Sequence, residues 1–207
     1  MSSRTAPPAP AAPLIARARL FGNPSRAMGR ISPDGVWLSW LAPRDGVMNV
    51  WIAPTADSAA ARPMTAETER PIGEYFWAPD SSRILFVQDK GGDENFLLYG
   101  VDVATGAETC LTPFDNTRAM VVGTSHRIRD RILVGLNNRD ARWHDVHSLD
   151  LTTGALTEML RGDGYAGFLA DGNLDLRMAL RPNAAGGFDF FHIVDGVVAE
   201  DPFGTTT

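Results

Sequence analysis

Two histidines three residues apart, His144 and His147 in RWHDVH, are of a type that binds metal ions. Successive side chains of a β-strand point to opposite faces, so this spacing would place the two imidazoles on opposite sides of a strand. A structural zinc site also needs further ligands, and none lies nearby in the sequence. The pattern therefore favours ordinary strand residues over a metal site. Trp143, His144 and Asp145 would mark the strand start, with Asp145 or Asn138 capping a turn.

The other residues of reactive type stand alone. Cys110 is the single cysteine, which excludes an intrachain disulfide and a cysteine-based zinc site. Its context, ETCLT, favours a small buried residue over a reactive thiol. His126 and His192 are isolated and are expected to be surface or strand histidines. The sequence therefore predicts no catalytic residue, no cofactor-binding residue and no metal ligand.

Tryptophan is the remaining residue type that could form a ligand cage. All five tryptophans lie in or beside short apolar runs: Trp37, Trp40, Trp51, Trp77 and Trp143. Large aromatic side chains in such runs usually supply core packing, so we expect them between sheets.

A repeat explains how these residues are positioned. The stretches ISPDGVWLSWL (31–41) and WAPDSSRILFV (77–87) share a Pro-Asp turn followed by an apolar run, 46 residues apart. A third copy lacks that turn but keeps the strands, because RILVGL (131–136) follows RILFVQ (83–88) at an interval of 48 residues. Repeats of this length that are rich in strands indicate propeller blades or a similar stack of sheets.

The turn chemistry within each unit supports strands over helices. Proline presets φ in SPDG, and Asp and Gly tolerate the tight backbone that follows. Hairpin turns are predicted at PRDG (43–46), DKGGDEN (89–95), ATG (104–106) and TTG (152–154). Four strands in about 45 residues is typical of a propeller blade. A fainter fourth unit contains YAGFL, LDLRMAL and FDFFHIV.

The sequence thus predicts an all-β fold, a partial β-propeller of about four WD40-like or TolB-like four-stranded blades. Residues 1–13 form an Ala/Pro-rich leader that is expected to be disordered, because they offer little to bury. Residues 14–30 would form an N-terminal arm with a short helix at Leu14–Leu20, and residues 201–207 a tail. The predicted blade bounds are 31–72, 73–120, 121–162 and 163–200.

Several ordered motifs resemble a known family. LFGNPSR, SPDGVWLSWLAP, GDEN, LTPF, NNRD, WHDV and GFLADGNLDLRMALRP are similar to the start of serine peptidases of the prolyl oligopeptidase family. Within it, they are most similar to the bacterial acylaminoacyl-peptidase and dipeptidyl-aminopeptidase-like branch. The resemblance runs from about Leu14 to about Asp195. SPDG alone is common among propellers, whereas the ordered set is specific.

The resemblance implies a propeller of seven or eight blades joined to an α/β-hydrolase domain with a Ser-Asp-His triad. The nucleophile of such a domain sits in a G-x-S-x-G turn between a strand and a helix. This sequence contains no such turn: Ser125 follows Gly123 but precedes His126, and Ser25 and Ser32 lack both glycines. We therefore expect a truncated product or fragment that is inactive alone.

An acidic pair, Asp93-Glu94 in GGDEN, is the strongest binding candidate under this resemblance. Acidic propeller side chains in related peptidases can hold the free amino terminus of a substrate. The hairpin position favours a solvated loop instead, because charged turn residues usually remain in water.

Composition limits the partners. The formal net charge is −6, and the basic residues are scattered arginines with Lys90 as the single lysine. Nucleic acids and anionic membranes need a clustered basic face, so neither is predicted as a partner. No run approaches the roughly 20 apolar residues of a membrane helix, and the leader lacks the apolar centre of a secretion signal. The cytoplasm is the expected compartment.

Two functions are compatible with these observations. The first is the non-catalytic, substrate-gating propeller of a prolyl-oligopeptidase-like serine peptidase, which would meet a peptide substrate only in the full-length enzyme. The second is a stand-alone propeller that serves as a protein-interaction module. In both cases unpaired blade faces are expected to permit self-association. A small ring closed by four units is the alternative arrangement.

Overall fold

The computed structural model describes residues 14–22 and 24–207. The predicted leader, residues 1–13, lies outside this range. The first element is a five-residue helix, α1 (Arg17–Phe21), with every side chain exposed. It overlaps Leu14–Leu20, where the sequence predicts a short helix or arm, and ends one residue beyond that segment.

The rest of the described chain forms four antiparallel sheets, which confirms the predicted all-β fold. The first sheet contains β1 (Ala27–Ile31), β2 (Trp37–Arg44), β3 (Val47–Pro54) and β4 (Arg62–Pro63), and the second contains β5 (Tyr75–Trp77), β6 (Arg83–Gln88), β7 (Leu97–Asp102) and β8 (Glu108–Cys110). The third contains β9 (Ala119–Gly123), β10 (Arg131–Asp140), β11 (Trp143–Asp150) and β12 (Leu156–Leu160). The fourth contains β13 (Gly167–Ala170), β14 (Leu176–Pro182), β15 (Phe188–Val194), β16 (Val197–Val198) and β17 (Gly204–Thr205).

Each sheet follows the chain in strand order, as the repeat predicts. The orders are β1-β2-β3-β4, β5-β6-β7-β8, β9-β10-β11-β12 and β13-β14-β15-β16. In the fourth sheet β17 also pairs with β15, through Asp189 opposite Thr205 and Phe190 opposite Gly204. Simple hairpin connections of this kind need only short turns, which the Gly- and Asp-containing segments supply.

Two elements lie in segments that the sequence assigned to an arm and a tail. β1 begins at Ala27, before the predicted first blade, and four of its five residues are exposed. β17 lies within the predicted tail, 201–207. Both strands are held by backbone hydrogen bonds to a neighbouring strand and do not bury an apolar face. Their sequences therefore lack the alternating apolar pattern from which strands are predicted.

Apolar cores fill the spaces between consecutive sheets. Ile52, Tyr75 and Phe86 belong to the core of the first and second sheets, and Leu85 and Ile132 to that of the second and third. Phe168 and Phe191 pack with the third sheet in another core. Burying a side chain of this size contributes roughly 1.5–3 kcal/mol. Trp77 is buried in the core between the first and second sheets, as predicted for the tryptophans, whereas Trp40 is buried in a separate cluster on the first sheet with Ala42 and Ala53. Trp37, Trp51 and Trp143 are half-buried.

Polar contacts also link the first and second sheets. The Tyr75 hydroxyl donates to the Met28 carbonyl oxygen at 2.7 Å, and Trp77 Nε1 donates to Ser39 Oγ at 2.9 Å. The backbone N–H of Asp34, in the first Pro-Asp turn, donates to Ser81 Oγ in the second at 3.1 Å. The equivalent turns thus bond to each other, which fixes how one sheet is set against the next.

A membrane-spanning helix would need a long apolar segment. Within residues 14–22 and 24–207, no helix of the required length and hydropathy is found.

Candidate functional site

A cavity of about 1120 Å³ is the candidate site. It is bordered by the first strands of the sheets and the loops beside them, with Arg30 contributed by β1, Phe76 by β5 and Met120 by β9. Ala166, just before β13, completes the border. The first three sheets and the residue that leads into the fourth therefore border one space. Its volume is sufficient for a short peptide, since pockets for small ligands occupy roughly 300–1,000 Å³.

Asp89 is a buried carboxylate at the rim of this cavity. Its side chain is fully buried, and Arg70 Nε lies 2.9 Å from Asp89 Oδ1. Gln88, adjacent to Asp89, donates from Nε2 to the Arg70 carbonyl oxygen at 3.1 Å. A buried charge needs a paired partner, so the Arg70 loop and the β6–β7 hairpin are held together here.

A second ionic cluster lies on the third sheet. Arg139 donates to both carboxylate oxygens of Asp145, at 2.6 and 2.7 Å, and also to Asp163 at 2.7 Å. Asp145 Oδ1 also accepts the backbone N–H of Gly162 at 2.8 Å. The Arg139 guanidinium, followed by the Gly162 N–H, lowers the pKa of Asp145. Asp145 therefore remains ionised at neutral pH although its side chain is almost fully buried.

The prediction that Asp145 or Asn138 caps a turn is confirmed only in part. Asp145 does satisfy a backbone N–H, but that of Gly162 on the following connection rather than one in a local turn. Within the β10–β11 hairpin the bonding amide is Asn137, whose Nδ2 donates to the Ala141 carbonyl oxygen at 3.2 Å. Trp143 is the first residue of β11, as predicted.

A smaller acidic pocket of about 300 Å³ lies beside Asp89. Glu67, Glu108 and Tyr99 border it. Burial, and secondarily the charge of Glu67, raises the pKa of Glu108. Burial also raises the pKa of Tyr99 to about 12, with smaller effects from Cys110 and Glu108. The pocket therefore disfavours further negative charge.

The structure separates the two histidines that the sequence weighed as a metal pair. His144 borders the cavity, whereas His147 Nδ1 lies 3.0 Å from the Asp145 carbonyl oxygen. Among the residues the structure describes, no group of three His, Cys, Asp or Glu side chains could hold a metal ion. His126 and His192 are exposed, and His192 stacks on Phe203 with ring centroids 3.9 Å apart.

Two of the serines that were compared with the G-x-S-x-G motif, Ser125 and Ser32, have structural roles. Ser125 is buried, donates to the Gly172 carbonyl oxygen and accepts the N–H groups of Arg127 and Ile128. Ser32 Oγ accepts the Trp37 N–H at 2.9 Å. Ser32 Oγ also donates to Asp34 Oδ1 within the same turn, so both hydroxyls are engaged in stabilising turns.

The acidic pair and the cysteine are placed by the hairpins that carry them. Asp93 and Glu94 are both exposed, and Asp93 Oδ1 accepts the Asn95 N–H at 3.0 Å, as expected for a solvated loop. That N–H is the main cause of the lowered pKa of Asp93. Cys110 ends β8 and is half-buried rather than buried. An edge strand has fewer neighbours to cover it, which explains the difference.

The charged residues at the cavity were not identified by sequence reasoning. Arg70, Asp89 and Arg118 lie in three different loops, and His144 was considered only as a metal ligand. Two motifs in the sequence could have drawn attention to these residues. GDEN lies close to Asp89, and WHDV contains His144.

Comparison with known proteins supports a peptidase relationship. Dipeptidyl aminopeptidase BIII from Pseudoxanthomonas mexicana is 49% identical over 177 residues, which are 85% of this chain and 26% of that protein. The chain spans about a quarter of the length of the curated relatives it matches. No protein-family model matches the sequence.

Solved structures support the same fold. A prolyl endopeptidase structure aligns with a TM-score of 0.60 at 15% identity, covering 88% of this chain and 28% of that one. The β-propeller domain of the trilobed protease from Pyrococcus furiosus, described as having an open velcro topology, aligns with a TM-score of 0.54 at 18% identity, covering 86% and 58%. The chain is therefore a β-propeller portion related to the dipeptidyl aminopeptidase and prolyl oligopeptidase family.

Proposed function

We propose that this chain, a propeller portion related to dipeptidyl aminopeptidases, is the non-catalytic part of a serine peptidase that controls which peptides reach the active site. The 49% identity to dipeptidyl aminopeptidase BIII over 177 residues is the observation that carries the proposal. The cavity beside the first three sheets supports it, because a space of about 1120 Å³ can hold a short extended peptide.

Hydrolysis itself would come from a different domain. The 207 residues contain no G-x-S-x-G turn, and Ser125 and Ser32 are engaged in turn hydrogen bonds. Loss of a triad member alone lowers the rate by orders of magnitude, so the isolated chain is expected to leave dipeptidyl substrates intact.

A chimera tests the proposal directly. Residues 14–195 of this chain would replace the matching segment of dipeptidyl aminopeptidase BIII, and hydrolysis of a dipeptidyl chromogenic substrate and of peptides of increasing length would be measured. We expect the chimera to keep dipeptidyl activity and a peptide length limit. The matched control carries the same graft with Gly162→Val and should have a disrupted propeller segment. The reason is that a Cβ at Gly162 would lie only 2.1 Å from the His144 carbonyl oxygen. A well-folded chimera that cleaves long and short peptides equally would contradict a gating role.

The second candidate is a stand-alone interaction module. One observation favours it: the fourth sheet exposes apolar side chains, including Leu169 and Val194 at 51% and 63% exposure. Apolar groups on a sheet face can bind another protein. The chimera separates the two functions, because an interaction module would not restore peptide selection.

A further inference from the structure

The third-sheet side of the cavity carries an arginine whose charge is not neutralised. Arg118 precedes β9, and its backbone N–H donates to Asn137 Oδ1 at 2.6 Å. Its guanidinium lies over the Phe96 ring, 5.3 Å from the centroid. Arg70 at the same cavity is paired with Asp89, but across the described residues no carboxylate lies within ion-pairing distance of Arg118. An unpaired arginine at a concave surface has hydrogen-bond donors available for a ligand.

His144 borders the cavity on the same side. Its Nε2 is buried and has no hydrogen-bond partner among the described residues. Burial, and secondarily the nearby charge of Arg118, lowers the pKa of His144, so the ring is neutral at pH 7. A backbone hydrogen bond with Arg118 acts in the opposite direction, so the ring already has one backbone partner. Nε2 is still a buried polar atom without a partner of its own, and leaving such an atom unpaired is costly. A protonated imidazole donates from both ring nitrogens, so an anionic ligand that favours the protonated ring would satisfy Nε2.

The backbone around His144 fixes this arrangement. A Cβ at Gly135 would lie 2.9 Å from Met120 Cγ and 3.3 Å from His144 Cβ, so glycine leaves the room that these two side chains occupy. The adjacent Asp145 is held by Arg139 and by the Gly162 N–H. His144 is therefore set on a rigid strand start rather than on a mobile loop tip.

We propose that Arg118 and His144 form a subsite for the carboxylate group of a peptide in this cavity. Arg118 would supply a charge-assisted, fork-like contact, and His144, protonated when the carboxylate binds, would donate a single hydrogen bond from Nε2. Phe96 and Met120 would provide the apolar surroundings that strengthen such contacts. The inference rests on the proposed function, since it takes the ligand to be a peptide. The carboxylate can come from the peptide C-terminus or from an aspartate or glutamate side chain.

The net charge of the chain makes this subsite distinctive. With a formal net charge of −6, the molecule as a whole repels anions. Specific binding of a carboxylate therefore requires a local group of donors, and non-specific attraction cannot imitate it.

The test is a titration of the full chain with three peptides of identical apolar sequence. One has a free C-terminus, one is amidated, and one is amidated with an internal glutamate; binding is followed by calorimetry. We expect the free acid to bind at least about tenfold more tightly than the amide, equivalent to about 1.4 kcal/mol. Recovery of affinity by the glutamate peptide would assign the subsite to any carboxylate, and lack of recovery would assign it to the C-terminus.

Variants localise the effect. Arg118→Gln should remove the preference for the free acid, whereas Arg131→Gln, an exposed arginine paired with Asp130, should retain it. The His144 ring offers an independent readout by NMR, because a bound carboxylate favours the charged imidazole and should raise its pKa. Circular dichroism melts establish that each variant is folded, and Arg118→Lys provides a second variant with partial preference expected.

Equal affinity for acid and amide, no binding of the free acid, or an unchanged preference in Arg118→Gln would overturn the subsite. These outcomes are independent of the chimera experiment. A chimera that keeps its peptide length limit while the peptides bind equally would reject this subsite and leave the gating function standing.

Discussion

At the scale of single residues, buried carboxylates organise the molecule. Asp89 and Asp145 have almost no exposed side-chain surface, yet each forms an ion pair with an arginine, Arg70 and Arg139 respectively. A buried carboxylate is costly unless its charge is paired. Both pairs therefore have a structural role, and of the two the Arg70–Asp89 pair borders the cavity.

Replacing Asp145 with asparagine tests this role. Asp145→Asn keeps the volume but removes the charge that Arg139 and the Gly162 N–H recognise, so unfolding free energy at pH 7 should fall by roughly 2 kcal/mol. The figure is at the lower end for buried pairs because the Arg139 side chain is 34% exposed. Urea denaturation followed by near-UV circular dichroism provides the measurement.

The stability difference between the native chain and Asp145→Asn should depend on pH in a defined direction. The native pKa of Asp145 is lowered, so its stabilisation is complete above the unfolded pKa near 4 and is lost as pH falls through the native value. The difference between native chain and variant should therefore shrink below about pH 4. Asp175→Asn, at a pair with Arg177 in which both side chains are more than half exposed, is the control and should change stability little. A difference that persists undiminished in acid would mean that the charge is not responsible.

At the scale of elements, the hairpin turns repeat their chemistry as well as their position. Asp102 Oδ1 accepts the Thr105 N–H at 2.8 Å, and Asp150 Oδ1 accepts the Thr153 N–H at 2.7 Å. The glycine that follows each threonine has a positive φ, 75° at Gly106 and 76° at Gly154. Glycine adopts this conformation without the penalty that a Cβ imposes.

Alanine at Gly154 should therefore destabilise the third sheet. No atom lies within 4 Å of the position that a Cβ would occupy, so the cost arises from the left-handed backbone alone and should be about 1–2 kcal/mol. Gly167→Ala is the matched control, because its surroundings are equally open and its φ is outside the left-handed region. Thermal melts of both variants measure the difference. Equal melting temperatures would show that the turn tolerates a Cβ.

At the scale of the whole molecule, the outer sheets leave apolar groups exposed. Alternation along β15 places Phe188 and Val194 on one face, and Phe188 is 38% and Val194 63% exposed. The opposite face of β15 contributes Phe191 and Ile193 to the core shared with the third sheet. Exposed apolar groups on a sheet face favour association with another molecule.

We expect the isolated chain to self-associate through this face. Sedimentation velocity should show a weight-average mass that rises with concentration, and the double substitution Phe188→Asp with Val194→Asp should suppress the rise. Val36→Asp, at a 49% exposed position in the first Pro-Asp turn, is the control and should leave association unchanged. A monodisperse monomer at every concentration would favour the alternative of four units closed into a small ring.

The sequence by itself determined the local structure and its repetition. RILFVQ and FDFFHIV coincide with β6 and β15, and turns predicted from Pro, Asp and Gly connect the strands observed. These features depend on neighbours within a few residues, where side-chain type restricts φ and ψ directly. The repeat interval then predicted a stack of equivalent sheets, because each sheet needs an adjacent one to bury its apolar face.

Only the tertiary structure decided which polar residues meet. Arg118 and His144, or Arg70 and Asp89, are distant in sequence and come together because the sheets surround a common cavity. The strands β1 and β17 likewise depend on edge pairing rather than on an apolar pattern. Burial and pairing of charges are set by the angle between sheets and the course of long loops. No local preference encodes those quantities, so the strands could be predicted from the sequence whereas the candidate site could not.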